Sequence, residues 1–329
     1  MSLFPAHIPG RPALVLAPME GITDAPMRAV QTERGNFAFV VSEFLRVCKD
    51  VPPRHVFERH IPELKAGCVT PSGTPVQVQL LGGDAGALAA SAAAAVHYGA
   101  RAIDLNFGCP APTVNRHDGG ATLLKHPQRI RQIVAAVRGA VPAHVPVSAK
   151  IRLGWDSIEP VVENARCAAE GGASWITIHG RTREANYSPP IHWEPIGKVR
   201  RELAPLPIVA NGDIWTLEDF LRCRDITGCE HYMLGRGALT DPNLPARAAQ
   251  ALGIRHAPVD APFGKNPRDW AELFSRFEFH TEPRPQRSEH VARRIKQWTR
   301  FATIYGPLDW MDRIKTLPTY EKIHSELVA

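Results

Sequence analysis

The sequence is poor in cysteine and has none of the usual marks of export, membrane insertion or zinc binding. Its 329 residues include six cysteines, at positions 48, 68, 109, 167, 223 and 229, without a Cys-x-x-Cys pair. This pattern favours free thiols in a reducing cytoplasm over a disulfide framework, and it predicts no metal site. Residues 1–12 lack the apolar segment of a secretory signal, and the alanine-rich stretch 86–100 is too polar to span a membrane. We therefore expect a cytoplasmic protein without a membrane segment.

Two common nucleotide-binding motifs are also missing. The chain has no Gly-x-x-x-x-Gly-Lys-Ser/Thr motif, and no Gly-x-Gly-x-x-Gly motif follows a predicted strand. These absences argue against a P-loop site for a nucleoside triphosphate and against the usual cradle for a nicotinamide cofactor. The 39 basic and 33 acidic residues give a net charge of +6. This excess favours a polyanionic partner without identifying it.

What the sequence does contain is a repeated pattern of short strands and longer helix-compatible stretches. The eight β-rich runs are 13–17, 38–42, 76–81, 102–106, 147–151, 175–179, 207–210 and 231–235. Their near-continuous apolar character is typical of parallel strands that are buried on both faces. Eight such units predict an α/β fold, a (β/α)8 TIM barrel over residues 1–254. A doubly wound sheet is the main alternative, but it usually has fewer repeated units.

The composition changes near residue 255. Residues 255–329 contain 13 basic and 10 acidic side chains, and therefore carry +3 of the net charge. Their apolar residues follow helical spacing, at positions 270, 273, 274 and 277 and then 291, 295, 298 and 301. Pro258, Pro262 and Pro267 mark a linker, and Pro283 and Pro285 separate two helices. The pattern predicts a small, all-helical C-terminal domain over 255–329.

Polar residues follow most of the predicted strands, where the active site of a TIM barrel lies. After the last two strands, residues 211–213 and 235–236 place small residues and Arg236 where an anionic phosphate can bind, although two ordinary glycine turns would look the same. Lys150 and His179 end the fifth and sixth strands. A cation and an imidazole suit the electron-rich edge of a flavin. Lys150 is also compatible with the Schiff-base lysine of an aldolase.

Cys109 is the cysteine whose surroundings favour chemistry over packing. It lies in the segment Asn106-Phe107-Gly108-Cys109-Pro110, just after the fourth predicted strand. Most cysteines pack in cores, but a loop with glycine and proline at the catalytic face suits a thiol that transfers a proton or attacks a substrate. Position alone leaves both interpretations open.

Together these segments resemble the tRNA-dihydrouridine synthases, flavin enzymes that reduce uridines in the D loop of tRNA. The similar segments occur in the family's order and extend over the whole barrel, at residues 16–24, 104–124, 150–155, 179–182, 211–214 and 235–238. Residues 56–59, 71–74 and 290–298 further resemble a bacterial subgroup that modifies uridine 16.

The resemblance implies FMN as cofactor and NADPH as reductant, with Cys109 as the general acid that protonates carbon 5 of uracil. It assigns FMN contacts to Pro18, Met19, Glu20, Gln79, Lys150, His179, Asn211, Gly212, Asp213, Gly235 and Arg236. For a uridine flipped into the barrel mouth it favours Asn106, Arg181 and Tyr187, and for the tRNA elbow Arg293, Arg294 and Lys296. The implied enzyme is a monomer.

Three alternatives remain open at this stage. The enzyme could act on another D-loop uridine. It could instead be a flavin oxidoreductase of the dihydropyrimidine or dihydroorotate type, which would leave the basic C-terminal region without a role. A tRNA-binding protein without flavin or catalysis would retain the fold and leave Cys109 dispensable.

Overall fold

A closed parallel β-barrel forms the centre of the computed structural model, which describes residues 12–34, 36–255 and 262–329. The strands are β1 (Ala13–Leu16), β2 (Phe39–Val41), β3 (Leu45–Arg46), β4 (Val76–Leu81), β5 (Ile103–Asn106), β6 (Val147–Arg152), β7 (Ile176–His179), β8 (Ile208–Asn211) and β9 (His231–Leu234). The sheet closes because β1 pairs with β9 and with β2, and β2 pairs with β4. Eight of these strands form the barrel, so the predicted (β/α)8 fold is confirmed.

The eight predicted runs coincide with eight strands to within one residue at each end. Among the strands of the described residues, the sequence pattern missed β3, whose two residues pair with Leu80 and Leu81 of β4. A strand of two residues is too short to produce a periodic signal, which explains the omission.

Helices connect the strands on the outside of the barrel. They are α1 (Ala25–Thr32), α2 (Arg54–His60), α3 (Ala85–His97), α4 (Pro112–Asn115), α5 (Pro127–Ala140), α6 (Val161–Glu170), α7 (Glu194–Glu202), α8 (Leu217–Thr227), α9 (Arg236–Thr240) and α10 (Leu244–Ala251), with short 3-10 helices at Pro62–Ala66 and Gly120–Lys125. Side chains cap several N-termini: Asp84 accepts a hydrogen bond from Ala87 N in α3, and Thr216 and Asp219 form a capping box in α8.

The alternation of side chains along the strands decides which residues face the barrel interior. Phe39, Trp175 and Val209 belong to a small buried apolar cluster formed by strand residues. Two residues after Trp175 and Val209 along the chain come Thr177 and Asn211, which are buried and polar. The interior thus becomes polar toward the carboxyl ends of the strands, which is the end where the candidate site lies.

The C-terminal region is entirely helical in its described part, as predicted. It consists of α11 (Pro267–His280), α12 (Arg287–Tyr305), α13 (Met311–Ile314) and α14 (Tyr320–Val328). Pro283 and Pro285 lie between α11 and α12, in agreement with the predicted break. Pro267 occupies the first turn of α11 and not the linker, because proline needs no backbone donor there. Pro258 lies outside the described residues, and the domain boundary at 254/255 stays a prediction.

The C-terminal helices pack directly on the barrel. Trp270 of α11 and Trp298 of α12 share a core with Met27 of α1 and Leu239 of α9. The indole Nε1 of Trp298 also donates a hydrogen bond to the carbonyl of Leu239 at 2.8 Å. The barrel's own helices therefore complete the core of the C-terminal region.

All six cysteines are free thiols. Across the ranges that the structure covers, no helix has both the length and the apolar character required to traverse a bilayer.

Candidate active site

A cavity of about 360 Å³ opens at the carboxyl ends of the strands. The predicted site residues that line it are Pro18, Met19, Glu20, Asn106, Cys109, Lys150, His179, Tyr187, Asn211, Gly212, Asp213, Gly235 and Arg236. The structure therefore brings together residues that follow six different barrel strands. Gln79, Arg181, Arg293, Arg294 and Lys296 are not part of the cavity wall.

Lys150 and His179 extend into the cavity from the neighbouring strands β6 and β7. Burial lowers the pKa of Lys150 to about 8, and its Nζ donates a hydrogen bond to Asn211 Oδ1 at 3.0 Å. Burial also holds the pKa of His179 well below its ordinary value, and Arg152, Lys150, Arg181 and Arg236 lower it further. His179 is therefore neutral at physiological pH, and its surroundings carry a strong positive potential.

Asp213, Arg181 and Arg236 form a charged cluster near the carboxyl ends of β8 and β9. Arg181 is 1% exposed and forms a bidentate ion pair with Asp213, in which the Nη1–Oδ1 distance is 2.8 Å. Its Nε also donates a hydrogen bond to the carbonyl of Ser188 at 2.7 Å. Arg236 approaches the same carboxylate at 3.4 Å. Arg181 thus lies behind the cavity wall, where it orients Asp213 and the segment after β7.

Gln79 belongs to a buried chain of polar side chains below the cavity. Its Nε2 donates to Asp104 at 2.6 Å, and its Oε1 accepts from Asn106 Nδ2 at 2.9 Å. Asp104 also accepts from Ser148 Oγ, and burial raises its pKa to about 6. Asn106 Oδ1 accepts from the backbone N–H of Gly108 at 3.0 Å. The chain therefore fixes the orientation of Asn106 at the cavity.

Cys109 lies half-buried in the loop between β5 and α4. Burial raises the pKa of its thiol above the ordinary value, so the thiol is protonated at neutral pH. The loop returns close to this residue, and the Ala121 N–H donates to the Cys109 carbonyl at 3.1 Å. A Cβ at Gly120 would lie 2.9 Å from that carbonyl, and the backbone there has φ +59°. Both observations explain why this return requires glycine.

The cavity residues that the sequence interpretation did not assign to the site include Arg152, Trp215 and Phe301. Arg152 stands two residues after Lys150 on the same strand, so strand alternation was a usable signal for it. The helical spacing of Phe301 from Trp298 assigned it to the helical core, and Phe301 does pack against that core while it also lines the cavity. It is only partly buried, because the last turns of α12 pass over the barrel mouth.

Three aromatic rings surround Arg236 at the same side of the cavity. Its guanidinium carbon lies 4.9 Å from the ring centre of Tyr187, 4.8 Å from that of Trp215 and 5.3 Å from that of Tyr305. The rings of Trp215 and Tyr305 are stacked, with centres 4.2 Å apart. Tyr305 ends α12, so the C-terminal helix contributes to holding Arg236.

The three basic residues of α12 have different environments. Arg293 is exposed and Lys296 is partly exposed. Arg294 faces the barrel instead: its Nη2 donates to the Ile22 carbonyl at 2.5 Å, its Nε contacts Asp24 at 3.2 Å, and Nη1 donates to the Gly21 carbonyl. These contacts fit attachment of α12 to the barrel better than they fit RNA binding.

The cavity has the features expected of a site for an anionic ligand. His179 Nδ1 is buried and has no hydrogen-bond partner among the described residues. A Cβ at Gly235 would lie 3.4 Å from Met19 Sδ, and one at Gly212 would lie 3.1 Å from the His179 ring. Side chains larger than glycine would therefore fill the space beside Met19 and His179. The positive potential around His179 favours a ligand with negative charge.

Comparison with known proteins gave consistent matches. A profile of the family described as "Dihydrouridine synthase (Dus)" matches residues 15–284. The chain is similar to "tRNA-dihydrouridine(16) synthase" of Neisseria meningitidis serogroup A, with 42% identity over 96% of this chain and 94% of that protein. It is also similar to "tRNA-dihydrouridine(16) synthase" of Cupriavidus necator, with 49% identity over 71% of this chain and 72% of that protein.

Two solved structures share the fold at low sequence identity. A complex of 2-naphthoyl-CoA reductase with 2-naphthoyl-CoA gives a TM-score of 0.56 at 11% identity over 73% of this chain. Histamine dehydrogenase from Rhizobium sp. 4-9 gives a TM-score of 0.54 at 13% identity over 84% of this chain. This chain spans 50% of the length of each of these two structures, and the likeness concerns the fold alone.

Proposed function

This chain belongs to the dihydrouridine synthase family, and from that premise we propose that it reduces uridine 16 in the D loop of tRNA to 5,6-dihydrouridine. The family membership rests on a match over residues 15–284. The position within tRNA rests on relatives that carry the number 16 in their names and are 42% to 49% identical to this chain.

We propose FMN as the cofactor and NADPH as its reductant. The unpartnered Nδ1 of His179, the positive potential around it and the space beside Gly212 and Gly235 fit an anionic, planar flavin. Met19 would contact the ring, Lys150 and His179 its polar edge, and residues 211–213 and 235–236 the phosphate end. When bound, FMN would supply the hydride that uracil accepts at carbon 6.

Cys109 is the proposed proton donor to carbon 5 of the base. A general acid must hold its proton until transfer, and burial keeps the Cys109 thiol protonated at neutral pH. Asn106 keeps one Nδ2 proton beyond the bond to Gln79, which suits a carbonyl oxygen of uracil. The target uridine must leave the base stack to reach these groups, and Tyr187, 51% exposed at the cavity, is placed to contact it.

We further propose that residues 1–254 form the catalytic domain and residues 255–329 the tRNA-binding domain of a cytoplasmic monomer. Arg293 and Lys296 carry positive charge on the outer side of α12, where phosphates of the tRNA elbow could bind. The exposed Arg293 is the stronger candidate of the two. Arg181 and Arg294 lie away from the cavity and from the outer surface, so we propose only indirect roles for them.

The observation that supports this function most strongly is that the half-buried Cys109 lies in the same cavity as Lys150 and His179. The decisive experiment maps dihydrouridine in tRNA from a strain that lacks this gene. We expect loss at position 16, restored by the wild-type gene and by Cys48→Ala, whose cysteine is exposed and outside the cavity. Cys109→Ala should not restore it.

Other outcomes would decide between the alternatives. Loss at a different D-loop position would change the assigned uridine but not the reaction. Unchanged dihydrouridine at every position, combined with turnover of free pyrimidine bases, would favour a small-molecule flavin oxidoreductase. Purified protein without flavin absorbance, and full complementation by Cys109→Ala, would favour a noncatalytic tRNA-binding protein.

A further inference from the structure

Arg152 is a buried arginine that joins two loops of the active site. It ends β6, is 3% exposed and lines the cavity. Its Nε donates to the carbonyl of Gly108 at 2.8 Å, and its Nη1 donates to the carbonyls of Thr182 at 3.0 Å and Asn186 at 2.8 Å. One guanidinium therefore contacts the loop after β5 and the loop after β7.

The contact with Gly108 lies immediately before the thiol. The carbonyl of Gly108 accepts from Arg152, while its N–H donates to Asn106 Oδ1 at 3.0 Å. The carbonyl and the N–H of Gly108, the residue before Cys109, are thus both hydrogen-bonded to side chains. On the second loop, Asn186 directly precedes Tyr187, whose ring centre lies 5.3 Å from the Arg152 guanidinium carbon.

We propose that Arg152 is a positioning residue, which holds the Cys109 loop and the Tyr187 loop at a fixed separation across the cavity. The inference deepens the proposed function and rests on it for the role of Cys109 as proton donor. It concerns how the thiol is placed and does not assign Arg152 any bond to the base or the cofactor.

The geometry requires arginine in particular. Its rigid, planar fork presents Nε and Nη1 in fixed directions, so the two loops cannot move independently while both bonds are made. A lysine ammonium has the charge but can reach only one of the loops with a defined direction. Burial of the guanidinium is unfavourable and lowers its pKa, and the hydrogen bonds to the three loop carbonyls offset this cost. A fixed position of the proton donor matters for the reaction, because a shift of about 1 Å at a reacting group can cost about 100-fold in rate.

The test compares Arg152→Lys, Arg152→Gln and the control Arg183→Gln, each as FMN-containing holoenzyme. Arg183 belongs to the same loop as Tyr187 but packs over Trp155, with its guanidinium carbon 4.6 Å from the ring centre. Removal of this cation therefore changes the charge of the loop without changing a bond to Gly108. The readouts are flavin absorbance, single-turnover reduction of tRNA by pre-reduced enzyme, and the alkylation rate of Cys109 by iodoacetamide from pH 7 to 10.

We expect both Arg152 variants to reduce the maximal single-turnover rate about 100-fold, with less than about a threefold change in the tRNA concentration for half-saturation. Arg152→Lys should alkylate faster than wild type at every pH, because a loosened loop exposes the thiol. Arg152→Gln should also shift the pH midpoint of alkylation upward, since a nearby cation stabilises the thiolate. Flavin content should stay normal, and Arg183→Gln should match wild type throughout.

Wild-type turnover and alkylation by Arg152→Lys would overturn the proposal, because charge alone would then suffice. Wild-type behaviour of both variants would overturn it as well. If the wild-type enzyme forms no dihydrouridine but the alkylation rates change as expected, the proposed function fails while the positioning role stands.

Hydrogen exchange on the wild-type protein tests the proposal if the variants do not fold. Segments 107–110 and 182–186 should exchange more slowly than the exposed residues 116–118 that follow α4, and equally fast exchange would contradict the proposal.

Discussion

At the scale of single residues, Lys150 shows how the barrel interior changes the chemistry of a side chain. Its ammonium group lies on the inner face of β6, where burial lowers its pKa to about 8, while Asp104 opposes this shift. Its Nζ donates a hydrogen bond to the neutral side chain of Asn211 at 3.0 Å. The charge of Lys150 therefore depends on pH within one unit of physiological conditions.

We predict that FMN binds less tightly as pH rises above about 8, the pKa of Lys150 in the cofactor-free protein. An anionic ligand beside the amine favours the charged form and raises the pKa in the complex. Affinity should therefore be constant below pH 8 and fall by up to about tenfold per pH unit above it. Fluorescence titration of the apoprotein with FMN between pH 6.5 and 9.5 measures this dependence. Lys150→Met should bind FMN weakly and with a flat profile, and an unchanged slope in that variant would contradict the assignment.

Some of the predicted site residues line the cavity and others do not, for a physical reason. Lys150 and His179 lie at the ends of β6 and β7, where the regular alternation of a strand determines the direction of a side chain, and Cys109 lies in the loop that follows β5. Arg181 also follows a strand, but its direction is set by an ion pair with Asp213, 32 residues later in the chain. Pairings over such a distance are not encoded in local spacing, so the burial of Arg181 could not be predicted.

At the scale of elements, α12 attaches the C-terminal region to a loop of the barrel. The loop between β1 and α1 carries Met19 into the cavity. Arg294 donates to two of its carbonyls, and Glu43 accepts from the Ile22 N–H at 3.0 Å. The neighbouring Arg293 points outward and is exposed. Arg294 therefore contacts the barrel, while the consecutive Arg293 is exposed to solvent.

We predict that neutralising Arg294 lowers stability, whereas neutralising Arg293 weakens tRNA binding. Arg294→Gln should lower the free energy of unfolding by about 2 kcal/mol, because it leaves the Ile22 and Gly21 carbonyls and Asp24 without their charged donor. Arg293→Gln should change stability by less than about 0.5 kcal/mol but weaken tRNA binding and reduce its salt slope by about one. Chemical denaturation and filter binding at several salt concentrations measure the two effects. Equal loss of stability in both variants would contradict the assignment of Arg294 to the interface.

The elements themselves were largely predictable, since buried parallel strands give continuous apolar runs and α12 shows a regular apolar stripe. Val291, Ile295 and Trp298 are fully buried as this stripe predicts. Phe301 continues the same stripe but faces the cavity. A periodic pattern shows that a helix face is covered, but it does not show whether protein or ligand covers it. The position of the last helical turn over the barrel mouth is a tertiary feature.

At the scale of the whole molecule, the barrel has its own core, while the core of the C-terminal helices also includes apolar side chains of two barrel helices. Met27 and Leu239 come from barrel helices, yet they lie in one apolar cluster with Trp270, Trp298 and Trp310. A boundary at 254/255 therefore separates two functions that we propose, while the packing joins the two parts. Removal of residues 255–329 would expose the apolar side chains of α1 and α9 to water.

We accordingly predict that the protein unfolds in one cooperative transition. Heating the holoenzyme should give the same midpoint for loss of helical circular dichroism and for release of FMN, which reports on the barrel. Trp298→Phe removes the bond to the Leu239 carbonyl and part of a fully buried side chain, so it should lower both midpoints by the same amount. Phe279→Leu changes an aromatic ring that is 66% exposed and should shift neither midpoint. If Trp298→Phe lowered only the circular dichroism midpoint while FMN stayed bound, the two parts would be independent folding units. The shared core predicts the opposite, because a weakened contact at Leu239 destabilises both of the surfaces that meet there.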